Sequence, residues 1–253
     1  MAKPILVANW KNHPSSQDEV HALLKDLIRK KLLYKRLSVF IAPPLAYLES
    51  VADRAGKFAQ LAAQDITELP KGTYTGVVTN DILKSFGVKL AIVGHSERRA
   101  LGESSLVVSE KVKAALKSGI APLVCVGEKT RDTDGEHFEF LRMQIKESLA
   151  GLSKQSVTSV LIAYEPSWAI GKSAKDAMPA GELAQSVIFI KKVLTDLYGR
   201  KVAESIPILY GGSVDPSNAG EIMREGGVKG LLVGRASLKA KSFEEIALSL
   251  LQK

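Results

Sequence analysis

One carboxylate in the chain has a setting suited to proton transfer. Glu165 closes the apolar run Val160-Leu161-Ile162-Ala163-Tyr164 and is followed by Pro166, which ends an extended segment and biases the residue before it toward extended geometry. Glu165 is therefore expected at the mouth of a buried strand. The apolar Trp168-Ala169-Ile170 that follows, with Gly171 behind it, is odd for an ordinary surface turn and reads as a flap. A base beside a flap that excludes water suits proton abstraction. On this stretch alone, a solvated glutamate on a strand-to-helix loop is an equal alternative.

Other residues could complete such chemistry. His95 follows Gly94 and precedes the polar turn Ser96-Glu97-Arg98-Arg99; amides at the start of a helical turn oppose a positive ring and favour neutral imidazole, which can donate to a substrate oxygen. Lys11 can hold charge near a developing oxyanion, and Asn9 can orient or donate to the same group. Gly211-Gly212 and Gly234 can bring bare backbone N–H groups close to an anion, and a short helix beginning near Pro216 to Asn218 adds a positive dipole end. The plain alternative is that these glycines make tight turns. Together, a base, a neutral electrophile, a cation and a phosphate cradle suit isomerisation of a small phosphorylated aldose or ketose through an enediolate, a reaction that needs no metal or redox cofactor.

The elements that must position these residues are regular. Short apolar runs recur at residues 5–9, 38–42, 58–63, 90–94, 121–127, 160–165, 206–210 and 230–234. Between them, and after the last, lie segments of helical periodicity such as Val20, Leu23, Leu24, Leu27 and Ile28. Ser16 with Glu19 and Ser242 with Glu245 match capping boxes, and Gly56, Gly87, Gly119 and Gly199 sit where helices should stop. Strands apolar at nearly every position expect cover on both faces, as in a parallel sheet. Eight strand-helix units without a linker, and no glycine-rich turn after the first run, favour a single-domain α/β fold over residues 1–253, a closed (β/α)8 barrel, over a doubly wound sheet. In such a barrel the loops leaving the carboxyl ends of the strands carry the chemistry, and the candidates above fall on those ends.

Composition excludes several classes. At 253 residues, 45% hydrophobic and 25% charged, the chain has the make-up of a globular protein. No stretch approaches the roughly 20 apolar residues that span a bilayer, and the amino terminus lacks the apolar core of a secretion signal, so no membrane partner and a cytoplasmic location are expected. Cys125 is the single cysteine and reads as a packing thiol inside an apolar run. His13, His21 and His137 have no ligand-like spacing, so no metal site is assigned. The net charge of +8 favours anionic partners. Arg29-Lys30-Lys31 and Lys191-Lys192 interrupt helical patterns and read as solvated helix faces, so no specific nucleic-acid partner is expected. Gly171-Lys172-Ser173 mimics the end of a P-loop, but the first glycine of that motif would fall on Pro166.

The ordered set Ala8-Asn9-Trp10-Lys11, Ala42-Pro43-Pro44, Gly94 to Arg99, Ala163-Tyr164-Glu165-Pro166 with Trp168 to Gly171, and Tyr210-Gly211-Gly212-Ser213-Val214 closely resembles the triosephosphate isomerase family over essentially the whole chain. The resemblance implies a TIM barrel interconverting dihydroxyacetone phosphate and glyceraldehyde 3-phosphate in glycolysis and gluconeogenesis. It implies Glu165 as base and His95 as electrophile, with Lys11 and Asn9 assisting and Glu97 supporting Lys11. It places phosphate contacts on the amides of Gly171, Ser213, Gly234 and Arg235, and implies a homodimer in which the loop around Thr75 approaches the neighbouring site. The chain departs from the family pattern at Lys172-Ser173, usually Thr-Gly, at Arg235, usually glycine, at Val77, commonly Glu, and at Asp65, often Asn. Alternatives are another phosphosugar barrel enzyme, such as an epimerase or lyase, or a non-catalytic phosphate-binding scaffold.

Overall fold

A computed structural model describes residues 2–132, 134–169 and 177–252. Eight parallel strands, β1 (Ile5–Asn9), β2 (Ser38–Ala42), β3 (Gln60–Ala63), β4 (Leu90–Val93), β5 (Ala121–Val126), β6 (Leu161–Tyr164), β7 (Ile208–Tyr210) and β8 (Gly230–Val233), pair in sequence order. The ring closes where Ile5 to Ala8 pair with Gly230 to Val233. Parallel neighbours need a crossover, and each strand is followed by a helix on the outside, from Gln17–Arg29 after β1 to Ala240–Ser249 after β8.

Alternation along the strands divides the core in two. Val7, Ala62, Leu90, Ile92, Leu123, Cys125, Ala163, Leu209 and Leu232 fill the barrel interior, whereas Leu6, Ala8, Ala91, Val124, Ile162 and Leu231 pack outward against the helices. Both faces of every strand are therefore buried, which is why the strands read as apolar runs.

The eight expected strands all form, with shifted ends. Phe58 and Ala59 bond back to the Ala55 carbonyl at 2.9 and 2.8 Å instead of joining β3. Val160 closes a 3-10 turn through the Val157 carbonyl, 3.0 Å away, so β6 begins at Leu161. Ser16 caps its helix by accepting the Glu19 N–H at 3.3 Å, although the Glu19 carboxylate returns to the Ser15 N–H, not to that of Ser16. The expected box at Ser242 is corrected: Phe243 N–H already bonds to the Lys239 carbonyl at 3.0 Å, so the helix starts at Ala240. Gly87, Gly119 and Gly199 follow their helices with φ of +81°, +73° and +88°, a region few L-residues visit. Lys191 is also corrected. It is half-buried and donates to the Ala203 and Ile206 carbonyls at 2.6 and 2.5 Å, whereas Lys192 is solvated as expected.

Candidate active site

Leu161 and Ala163 face the barrel interior, so period-two alternation aims Glu165 the same way, just above the end of β6. Its N–H bonds to the Val126 carbonyl at 2.8 Å, which keeps the backbone extended one residue past the strand. Both neighbouring strands are followed by a glycine that makes room. A Cβ at Gly127 would lie 2.0 Å from the Glu165 carbonyl oxygen, and one at Gly211 would lie 2.8 Å from Glu165 Cγ.

The carboxylate is only 2% exposed. Oε2 accepts the Ser96 N–H at 3.1 Å, while Oε1 lies 3.2 Å from His95 Nε2 without an aligned hydrogen bond. Burial pushes the Glu165 pKa up, and the His95 ring, the Ser96 amide, the Cys125 thiol and Lys11 pull the other way. The net direction is upward, as suits a base working near neutral pH.

His95 owes its direction to a break in alternation. Ala91 and Val93 face the helices, and an unbroken strand would send His95 after them; Gly94, at φ +69°, turns the chain so that the ring meets Glu165. Its Nδ1 accepts the Glu97 N–H at 3.2 Å. A ring nitrogen that accepts carries no proton, so the neutral ring holds its proton on Nε2, the atom facing the cavity.

Lys11 sits at φ +52°, rare for a residue with a side chain and worth roughly 1 kcal/mol of strain. Three contacts hold it there. Its N–H donates to Asn9 Oδ1 at 3.0 Å, its carbonyl accepts from Gln64 Nε2 at 2.7 Å, and its Nζ pairs with Glu97 Oε1 at 2.6 Å.

At the other side of the mouth, Ser213 Oγ donates to the Ala169 carbonyl at 2.8 Å. Gly234 leads into the 3-10 turn Arg235–Leu238, closed by Ser237, whose N–H and Oγ reach the Gly234 carbonyl at 2.9 and 2.7 Å. The helix expected near Pro216 begins at Ala219, because Asp215 Oδ1 accepts the Ser217 N–H at 2.8 Å and holds a turn there. A cavity of about 970 Å³ is lined by Asn9, Lys11, His95, Glu165, Ser213, Gly234 and Arg235, with Glu97 reaching it through Lys11. Gly171 and Lys172-Ser173 lie outside the described residues. Among the described residues, no cluster of His, Cys, Asp or Glu could hold a metal ion, and no helix is long and apolar enough to cross a membrane.

Residues 4–250 match the family model for triosephosphate isomerase. The chain belongs to the triosephosphate isomerase family. It is 40% identical over 252 residues to a triosephosphate isomerase of Fusobacterium nucleatum, covering 97% of this chain and 98% of that one. It is 39% identical to those of Thermoanaerobacter sp. strain X514 and Roseiflexus sp. strain RS-1, each over 97% of this chain and over 99% and 97% of theirs.

Within this barrel, three supporting residues carry roles that their sequence positions do not assign. Glu128, 1% exposed, accepts the Tyr164 hydroxyl at 2.9 and 3.0 Å and the Trp168 indole N–H at 2.9 Å, while its carbonyl takes the Ser167 N–H at 2.9 Å. It ties both ends of the Glu165 segment to β5. Its signal was a polar residue after an apolar run, the same signal that marks Glu165. Gln64 spans Lys11 and the Ala42 carbonyl, and Arg99 donates to the carbonyls of Gly94 at 2.8 Å and Cys125 at 3.2 Å. Apart from the Arg99–Gly94 bond, five residues apart, these are long-range contacts with no local pattern.

Proposed function

We propose that Glu165 is the general base of the family's reaction, the interconversion of dihydroxyacetone phosphate and glyceraldehyde 3-phosphate. The observation that carries this reading is a carboxylate 2% exposed, with one oxygen free of hydrogen bonds and 3.2 Å from the Nε2 of His95. A substrate oxygen entering the cavity takes up the His95 N–H, and the free carboxylate oxygen takes the proton from the carbon beside the carbonyl. The bonding pair of that C–H moves to the C–C bond while the carbonyl pair moves onto oxygen, giving an enediolate. His95 donates to that oxygen and Lys11 Nζ offsets its charge, with Asn9 and Glu97 fixing Lys11. His95 Nε2 passes its proton to that oxygen and takes one from the neighbouring hydroxyl, whose oxygen becomes the new carbonyl as the carboxylic acid returns its proton to the adjacent carbon, and no cofactor takes part.

The phosphate group sits against the backbone N–H groups of Ser213, Gly234 and Arg235, whose turns line the cavity; the family resemblance assigns Gly171 to the same group. Residues 1–253 act as one catalytic domain in the cytoplasm. The chain works as a homodimer. A second cavity, about 810 Å³ and flanked by Leu45 and Leu101, which are 53% and 83% exposed, faces out beside the loops leaving β2, β3 and β4, where an apolar surface expects cover. Light scattering after gel filtration tests this, a monomer at micromolar concentration ruling it out. No observation favours the scaffold, epimerase or lyase alternatives.

The deciding experiment is a coupled assay with glyceraldehyde 3-phosphate for the wild type and Glu165→Gln. Losing a general base lowers the rate by about 10² to 10⁴. A variant with near wild-type turnover sinks the assignment.

A further inference from the structure

Because all eight strands run parallel, their amino ends share one face of the barrel, opposite the catalytic mouth. The charge on that face is extreme. In the stretches of up to seven residues that precede the strands, thirteen lysines and arginines stand against three carboxylates, a surplus larger than the +8 of the entire chain. In the seven residues after each strand, seven cations meet eight carboxylates. The asymmetry therefore belongs to one end of the barrel.

Every strand is preceded by an exposed cation. Lys3, Arg36, Lys57 and Lys89 precede β1 to β4, and Lys117, Lys154, Lys201 and Lys229 precede β5 to β8. Helix dipoles account for a minority of the thirteen, since cations are favoured in the last turn of a helix and only Lys31, Arg54, Lys84, Lys117 and Arg224 sit there. Lys201 lies in the first turn of the helix Arg200–Ser205, where the dipole opposes it. Among the described residues, no carboxylate forms an ion pair with Lys3, Arg36, Lys57, Lys89, Lys154, Lys201 or Lys229. The crowding is felt inside as well: burial, and then Lys229, push the pKa of Lys191 down to about 8.

We propose that the amino-end face of the barrel is a docking surface for the phosphate backbone of a nucleic-acid duplex, bound without sequence preference. A ring of long, unpaired cations matches a polyanion in which phosphates recur along a rigid rod. Single strands are held largely by bases stacking on aromatic side chains, but of the aromatics in these stretches Tyr34 and Phe58 are buried and Phe86 is partly buried against the core, so none is exposed. Membrane-surface binding needs an apolar face as well as charge, and Leu32 is the one large hydrophobic residue in these stretches that is exposed. A paired helix offers phosphates without requiring either. The proposed dimer surface, on loops at the opposite end, leaves this face open.

The test is fluorescence anisotropy of a labelled RNA duplex of about two helical turns, titrated with the full chain. Contact with about four phosphates gives a slope near −4 for log K against log salt, so affinity falls about 10²-fold between 50 and 200 mM salt. The triple variant Lys89→Glu, Lys117→Glu, Lys154→Glu is expected to lose at least tenfold in affinity while keeping the wild-type isomerase kcat/KM, which also reports folding. The corresponding Lys→Arg triple keeps both. Absence of wild-type binding at 50 mM salt, or equal binding by the Glu triple, overturns the proposal. So does displacement of the duplex by millimolar inorganic phosphate, which places it at the catalytic mouth, or tighter retention on anionic vesicles than on RNA, which makes the surface a membrane face. The isomerase assay stands apart from all four outcomes.

Discussion

The two ends of the barrel are built from the same eight strands and solve opposite problems. At the carboxyl end, charges are brought close and given partners: Lys11 meets Glu97 at 2.6 Å, Arg98 meets Asp65 at 2.9 Å, and Lys111 reaches both Asp65, at 2.7 Å, and Glu103. Two carboxylates, Glu128 and Glu165, are buried outright. At the amino end most cations stay in water, seven of them with no carboxylate partner among the described residues, while glycines after the helices supply the turns. Burial of an ionisable group opposes stability and tunes reactivity. Exposure does neither, but leaves the charge free to act at a distance. Changes at the carboxyl end should therefore move activity first, and changes at the amino end should move stability or polyanion binding with activity constant.

The largest expected effect is at Glu165. Beyond the loss of turnover, the upward pKa shift has a thermodynamic sign. A carboxyl whose folded pKa lies above its unfolded value binds more protons when folded, so its ionisation costs stability as pH rises through the interval between the two values. The cost is absent below the ordinary carboxylate range and complete above the folded pKa. Glu165→Gln should thus raise Tm over wild type at pH 8, with the gap closing at pH 4, while kcat falls. The same shift puts the acid limb of the wild-type kcat/KM profile above the ordinary carboxylate range. A Tm gap of equal size at both pH values would show that burial of the charge is not its cause.

Next come the electrophilic partners. Removing a preorganised donor to a developing oxyanion costs about 10² to 10³ in kcat, the range expected for His95→Gln and Lys11→Met. Gly211→Ala follows. Its Cβ would meet Glu165 Cγ at 2.8 Å, and since displacement of a reacting group by about 1 Å can cost 10²-fold, a tenfold to hundredfold fall in kcat is expected. A variant with unchanged kcat would mean that Glu165 has freedom the packing does not suggest.

Much of this was legible because a parallel barrel writes its strands as unbroken apolar runs. The run limits overshot at Gly94, Gly127, Glu165 and Gly234 for a physical reason: those residues end the strands while still facing the mouth, so composition continues where strand pairing stops. Glu165, His95 and Lys11 could be found because each stands at or just beyond the end of an apolar run. Glu128, Gln64 and Arg99 could not be assigned, because their work is to bond atoms 22 to 53 residues away or, for Arg99, the carbonyls of Gly94 and Cys125 on two neighbouring chain segments. The left-handed backbone of Lys11 was equally invisible, since lysine is not a residue that announces it.

The smallest effect isolates the amino end. Gly119 lies at φ +73°, with nothing within 4 Å of where a Cβ would be, so Gly119→Ala is opposed by backbone strain alone. That strain is about 1 kcal/mol, and in a chain of this size it lowers Tm by about 2–4 °C. Nothing in the catalytic cavity touches Gly119, so kcat and KM should match wild type. Coupled loss of kcat would mean that strain at one end of a strand travels to the other, and the two ends would no longer be separable. Calorimetry and the coupled assay on one preparation decide between these outcomes, because the open space around Gly119 leaves no packing change to confuse them.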